Sequence, residues 1–263
     1  MVPVPDITAT MLLLLLLAAL TAGWVDSVVG GGGLIQLPAL LIAFPAAAPI
    51  QLLATNKMAS IAGTATSSVT FWRRVRPDGR TAVALAVPAF AGAIVGSLIA
   101  SHIPRTAFNP IILAALIVVF AYTLCQPDLG GSTALRFAGH RHLIVACLAG
   151  FAIGVYDGAL GPGTGSFLVF AMVGLMGYAF LEASAKAKVA NFATNLASLL
   201  VFLPQGAGYW KLGIAMACAN MAGGYLGART AVARGSGFVK IVFLVVVSAF
   251  ICKIGYDVVR QFT

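Results

Sequence analysis

Four charged residues stand isolated in otherwise apolar stretches of the chain: Asp26, Lys57, Asp157 and Lys188. A charge near the centre of a bilayer costs roughly 2.5–3.5 kcal/mol on insertion scales, so four without partners would cost on the order of 10 kcal/mol. Such a set must be paired, placed in a wet cavity, or both. Two glycine-rich breaks accompany it, Gly30-Gly31-Gly32-Gly33 and Gly161-Pro162-Gly163-Thr164-Gly165. Consecutive glycines, or glycine with proline, unwind a helix, and irregular backbone at membrane depth is tolerated only where protein or a wet cavity satisfies its amides. Freed N–H groups at a helix start make an anion seat that the helix dipole reinforces. Thr55 and Asn56 precede Lys57, while Asn191, Thr194 and Asn195 follow Lys188. The spacing puts Lys188, Asn191 and Asn195 on one helix face. Lysine charge combined with neutral amide hydrogen bonds suits a small oxyanion such as sulfite, a sulfonate or a carboxylate. A cation site would need more carboxylates and carbonyls. Asp26 and Asp157 then either hold the lysines in the empty state or carry a coupled proton. The competing reading makes the four charges two structural salt bridges between the halves of the chain, since a buried pair is weak support for function.

The elements that must position these residues are membrane helices. Hydrophobic residues make up 60% of the 263 and charged residues only 9%, against about 25% charged in soluble domains. Ten apolar stretches span roughly 9–29, 34–48, 55–72, 81–101, 107–124, 143–160, 165–181, 186–203, 212–229 and 239–257. A bilayer crossing takes about 20 such residues, so the expected architecture is an all-α integral membrane protein. The second stretch of each half is short and follows a glycine-rich break. It could be a broken or re-entrant helix, which leaves eight to ten crossings. Residues 1–10 contain Asp6 and no Lys or Arg, unlike the basic start of a cleavable signal, so 9–29 is expected to be retained as the first membrane segment.

A shift of 131 positions superimposes the polar and glycine landmarks: Gly23 on Gly154, Asp26 on Asp157, Gly30 on Gly161, Gly32 on Gly163, Lys57 on Lys188, Phe71 on Phe202, Gly92 on Gly223 and Gly96 on Gly227. Charge is scarce here, so the matched Asp and Lys pairs carry the argument for an internal repeat. The expected units are 1–131 and 132–263, each with about five hydrophobic segments. The stretch 73–80 carries four arginines, whereas its counterpart 204–211 has one cation. Conversely 101–106 has only Arg105, while its counterpart holds Arg229, Arg234 and Lys240. Basic loops mark the cytoplasmic side, and the reversal between halves predicts inverted repeats, with the linker 125–142 inside and both termini outside. Trp72 beside Arg73 is expected to anchor at the interface.

The formal charge of +9 is explained by those loops, and no nucleic-acid binding is expected. Cys125, Cys147, Cys218 and Cys252 show no metal or disulfide spacing and read as small apolar filler. His102, His140 and His142 read as interfacial. No metal, cofactor or catalytic residue is expected. Gly92, Gly96, Gly223 and Gly227 look like close helix packing.

The stretch Gly23-Trp-Val-Asp-Ser-Val-Val-Gly-Gly-Gly-Gly-Leu-Ile-Gln-Leu-Pro38, with Leu53-Ala-Thr-Asn-Lys57, resembles the first signature of the TauE/SafE family of sulfite and organosulfonate exporters. Gly154-Val-Tyr-Asp-Gly-Ala-Leu-Gly-Pro-Gly-Thr-Gly165, with Ala185-Lys-Ala-Lys188 and Asn191, resembles the second. The resemblance covers nearly the whole chain. It implies a transporter of small sulfur-containing anions in the bacterial inner membrane, generally running outward, and does not specify which anion.

Three functions follow as expectations. A secondary transporter working by alternating access comes first, because inverted repeats with broken helices at the midplane are its architecture. No GxxxxGK[ST] motif is present, so this chain does not bind ATP through a P-loop. An anion channel built on the same site is the alternative. An intramembrane enzyme using the two aspartates comes last, since each Asp is matched by a repeat-related Lys. The expected partners are a small anion, the bilayer and a second copy of the chain as a homodimer.

Overall fold

The computed structural model describes residues 7–100, 113–114, 116–118, 120–121, 123, 130–205 and 208–262. Most of the fifth expected apolar segment, together with Asp6, His102, Arg105 and Cys125, lies outside the described residues. The described residues are mostly helical, with no strand among them. Its elements are α1 (Ala9–Val29), α2 (Gly33–Ala43), α3 (Pro49–Val75), α4 (Gly79–Ile99), α5 (Gly139–Ala159), α6 (Thr164–Phe170) continuing as a π-turn (Ala171–Leu175), α7 (Phe180–Phe202) with a short 3-10 turn, and α8 (Trp210–Phe262).

Local chemistry starts these helices. The Thr8 side chain accepts from Met11 N at 3.3 Å, and Asp78 accepts from Arg80 N at 3.2 Å and Thr81 N at 2.9 Å, the N-cap arrangement. Pro49 occupies the first position of α3, where its missing N–H costs nothing. Among the described residues, five helices are long and apolar enough to cross a membrane: α1, α4, α5, α7 and α8. The stretches 33–43 and 164–175 are apolar but shorter.

Hydroxyl groups explain why α3 falls outside that group. Thr64, Thr66, Ser67, Ser68 and Thr70 each donate to the carbonyl four residues earlier, at 2.7–2.9 Å. Each polar group is satisfied within the helix, so α3 can sit in an apolar medium despite its low hydropathy.

Helix starts recur at one spacing. Gly33 and Thr164, Pro49 and Phe180, and Gly79 and Trp210 each open an element and lie 131 residues apart. Close contacts obey the same shift with partners exchanged. A Cβ on Gly154 would stand 2.2 Å from the Ala89 carbonyl oxygen, and one on Gly23 2.2 Å from that of Asn220. Gly92 meets Phe151 and Gly223 meets Leu20; Gly96 meets Val155 and Gly227 meets Trp24. In every case adding 131 to one partner and subtracting it from the other gives the companion contact. Glycine lets these backbones touch, so α4 lies along α5 and α1 along α8.

Four expectations need correction. The span 229–240 is no loop: α8 runs through it with one non-helical residue, Gly235 (φ 73°, ψ −174°). Glycine tolerates that conformation, so the ninth and tenth segments join at a kink. His140, Arg141 and His142 belong to the first turn of α5 and not to a linker. His142 is buried and hydrogen-bonded, while His140 is exposed. Cys218 and Cys252 are exposed and Cys147 half-buried, so they do not fill a core. Trp72 is exposed.

Candidate functional site

The two glycine breaks cross in the interior. Gly30 ends α1 with φ 81°, and a Cβ there would lie 2.0 Å from the Gly165 carbonyl carbon. Gly163 precedes α6 with φ 85°. Both positions require the left-handed region that glycine favours, and the first also requires the absence of a side chain. The starts of α2 and α6 are thereby brought together, with Gly33 beside Pro162.

The four charges assemble around this crossing as two ion pairs, each formed between different halves of the chain. Lys57 Nζ on α3 donates to Asp157 Oδ2 on α5 at 2.6 Å. Lys188 Nζ on α7 donates to Asp26 Oδ2 on α1 at 3.1 Å. Lys57, Asp157 and Lys188 are at most 2% exposed, and Asp26 is 14% exposed. The remaining carboxylate oxygens are also held. Thr164 Oγ1 donates to Asp157 Oδ1 at 2.6 Å, and the Gly32 N–H donates to Asp26 Oδ1 at 3.2 Å. Asn191 Nδ2 reaches Asp26 Oδ2 at 3.5 Å. Buried charges are tolerable only with such pairing and hydrogen bonding.

A cavity adjoins both pairs. Asp26, Gly31, Gly33, Asn56, Lys57, Asp157, Gly161, Gly163, Thr164, Gly165, Asn191 and Asn195 line it, so the structure gathers most of the residues singled out from sequence. Gly30, Gly32 and Lys188 stand one layer back. Gly30 is wedged against Gly165, Gly32 packs against Ala22, and Lys188 lies behind Asp26. The space open to the centre of a water molecule is about 20 Å³, enough for about one water. Asn56 Oδ1 is buried without a hydrogen-bond partner, and so has capacity for whatever enters.

Sequence reasoning passed over Ser60, which also lines the cavity. The signal was present: Ser60 is the 131-residue counterpart of Asn191. It also passed over a buried amide relay behind α2. Asn220 Nδ2 donates to Gln36 Oε1 at 3.0 Å, and Gln36 Nε2 donates to the Asn56 carbonyl at 3.2 Å. Gln36 is apolar in no part of its head group yet sits fully buried, and only the fold supplies its partners. Among the described residues no His, Cys, Asp and Glu cluster suited to a metal is present.

Apolar spanning helices around a buried, paired polar centre define a multi-pass membrane protein of the transporter class. The family description "Sulfite exporter TauE/SafE" matches residues 15–254, and the chain belongs to that family. It is 34% identical over 256 residues to "Probable membrane transporter protein ORF9" of Sinorhizobium sp, covering 96% of this chain and 95% of that one. It is 32% identical over 252 residues to a "Probable membrane transporter protein" of Haemophilus influenzae, with 96% and 97% covered. Over 246 residues it is 31% identical to "Probable membrane transporter protein YfcA" of Escherichia coli, with 92% and 89% covered. No solved structure matches it. These relationships make the chain a transporter and not an enzyme.

Proposed function

We propose that the chain is a secondary transporter of a small oxyanion, sulfite or an organosulfonate, and that it works by alternating access around the two crossed ion pairs. The observation that carries this reading is the exchange of partners, Lys57 with Asp157 and Lys188 with Asp26, where Lys57 and both aspartates line one small cavity. Two lysines and two aspartates sum to zero charge. An entering oxyanion must therefore displace a carboxylate from its lysine, or find that carboxylate protonated. Either route couples occupancy to opening of a contact between halves, which is what a carrier needs. The family's description as sulfite exporters supports the substrate class.

The halves 1–131 and 132–263 are read as inverted repeats. Their helix starts and glycine contacts repeat under one shift, and the basic stretches reverse between them. The hairpins α1–α2 and α5–α6 are read as re-entrant. Met11 and Leu12 of α1 share one apolar cluster with Leu40, Phe44 and Tyr209, which puts the start of α1 and the end of α2 at the same level. The mouths of the second hairpin also meet, because His142 Nε2 and Tyr178 Oη are hydrogen-bonded at 2.8 Å. The arginine-rich ends belong on the cytoplasmic side of a bacterial inner membrane.

A channel on the same site is the second reading. A cavity with room for about one water favours a gated carrier over an open pore. Proteoliposomes loaded with sulfite, sulfoacetate or thiosulfate test both. A carrier gives exchange stimulated by substrate on the opposite side, and Lys57→Met or Lys188→Met abolishes it in folded protein. Unchanged flux in both variants would remove the oxyanion site.

A further inference from the structure

The crossed cavity is not the only polar recess. A second, open one of about 820 Å³ lies where the starts of α4, α5 and α7 meet, between the 73–80 arginines and the segment after Gly130. Its wall carries Arg76, Arg80, Arg136 and Lys186 against two carboxylates, Asp78 and Glu182. Both carboxylates are engaged. Asp78 caps α4 and accepts from the Thr81 hydroxyl at 2.6 Å, and Glu182 accepts from Thr133 Oγ1 at 3.1 Å.

Lys186 is the residue the transport cycle leaves unexplained. It is 1% exposed, yet its nearest carboxylate, Glu182, is 3.9 Å away, too far for a hydrogen bond. Its other neighbour is the Tyr178 ring face at 4.0 Å, a cation–π contact. Among the described residues the ammonium donates no hydrogen bond, and because Lys186 lines the open recess its N–H donors are available to water or to a solute there. Tyr178 is itself fixed by a relay: its hydroxyl meets His142 Nε2 at 2.8 Å and Thr81 Oγ1 at 3.2 Å. The ring that supports Lys186 is thus clamped from α4 and α5.

The same 131-residue shift shows what this recess has that its counterpart lacks. Thr81, His142, Tyr178 and Lys186 correspond to Leu212, Met11, Ala47 and Thr55. Leu212 and Ala47 are buried in one apolar cluster against which Met11 packs, and Thr55 Oγ1 accepts from the Tyr209 N–H at 3.0 Å. One mouth of the duplicated fold is a greasy plug and the other a cationic bowl.

We infer that this bowl is a second oxyanion-binding site, in which Lys186, with Arg80 and Arg136 on the rim, holds one sulfonate-, sulfite- or phosphate-type group before it reaches the crossed ion pairs. The site rests on its own geometry, and only its place on a transport route depends on the proposed function. The asymmetry gives the carrier a loading side, set by a charged funnel that concentrates anions at the arginine end.

The test measures binding of radiolabelled sulfite and inorganic phosphate to the full-length chain in phosphatidylcholine nanodiscs. It also measures sulfite KM from each face in vesicles of defined orientation. Lys186→Gln is expected to weaken binding at one of two classes of site roughly tenfold, as loss of a charge-assisted hydrogen bond would. It should raise KM at the arginine face alone, and Lys186→Arg should restore both. Because Lys186 is buried, Arg80→Gln on the exposed rim serves as a second variant, with a smaller rise on the same face. Nanodiscs containing phosphatidylglycerol separate the sources: displacement of sulfite there makes a lipid phosphate an occupant of the same site. Lys186-dependent binding should survive Lys57→Met, which removes flux. If no probe shows a dependence on Lys186, or if Lys186→Gln changes KM equally at both faces, the second site is wrong even where Lys57→Met behaves as proposed.

Discussion

Lys57 and Asp157 lie one hundred residues apart in sequence and meet at 2.6 Å, each at most 2% exposed. Removing either partner strands the other charge in a dry interior. Lys57→Met or Asp157→Leu alone should therefore cost about 3–5 kcal/mol of stability, whereas the double variant should recover most of it. Thermal melting in detergent reads the stability, and sulfite flux reads the function. If the pair is only structural, the double variant transports as well as the wild type; if it is the site, stability returns and flux does not.

The glycine crossing makes a graded prediction. Gly30→Ala puts a methyl 2.0 Å from the Gly165 backbone at φ 81°, and the variant should fail to accumulate as folded protein. At Gly33 the nearest atom is 3.4 Å away, so Gly33→Ala should fold while losing flux, because its methyl narrows the cavity it lines. Gly255→Ala, where nothing lies within 4 Å, should be neutral or stabilise α8 by about 0.5–1 kcal/mol. Yield after size-exclusion chromatography ranks the three. Equal yields for Gly30→Ala and Gly33→Ala would contradict the crossing.

Arg73, Arg74, Tyr225 and Arg229 line one surface recess, so the ends of α3 and of the first arm of α8 share a side. In a background lacking the native cysteines, Arg73→Cys and Arg229→Cys should react with an impermeant thiol reagent from the same face. Thr8→Cys should react from the opposite one. Labelling of Arg73→Cys and Arg229→Cys from opposite faces would overturn the proposed topology.

Asp78 offers a pH test outside the membrane spans. The Thr81 hydroxyl, with the backbone N–H groups of Thr81 and Arg80, holds its carboxyl below the usual carboxylate range against some opposing burial. A depressed folded-state value contributes stability that is present above the unfolded value and lost as pH falls through the folded one. Asp78→Ala should cost about 1 kcal/mol near neutral pH, as loss of a cap does. The gap in melting temperature from wild type should close as the medium is acidified below the ordinary carboxylate range. A gap that widens on acidification would contradict the cap.

Much of this was legible in the sequence because it rests on scarcity. In a chain so poor in charge, two Asp and two Lys at equal spacing can be compensated only by one another, and the cavity contains three of the four. Which aspartate meets which lysine was not legible, because proximity in sequence favours Asp26 with Lys57, and only the folded structure sets Lys57 against Asp157 and Lys188 against Asp26. The α8 kink was hidden for a similar reason: Arg229, Arg234 and Lys240 read as a loop, yet the chain turns at the single residue Gly235 and their long side chains can reach water from the helical arms on either side. His142 was misread because a histidine beside His140 and Arg141 looks solvated. Its partners Thr81 and Tyr178 come from elements 61 and 36 residues away.

The exchanged ion pairs also constrain the order in which the protein can be made. When the first four helices have left the ribosome, Lys57 and Asp26 are already committed to lipid, but their native counter-ions, 100 and 162 residues further on, have yet to be synthesised. Contacts of such long range form late, so the nascent chain must pass through a stage with both charges lacking their final partners. A product that stops halfway keeps two charges in an apolar medium without their native counter-ions.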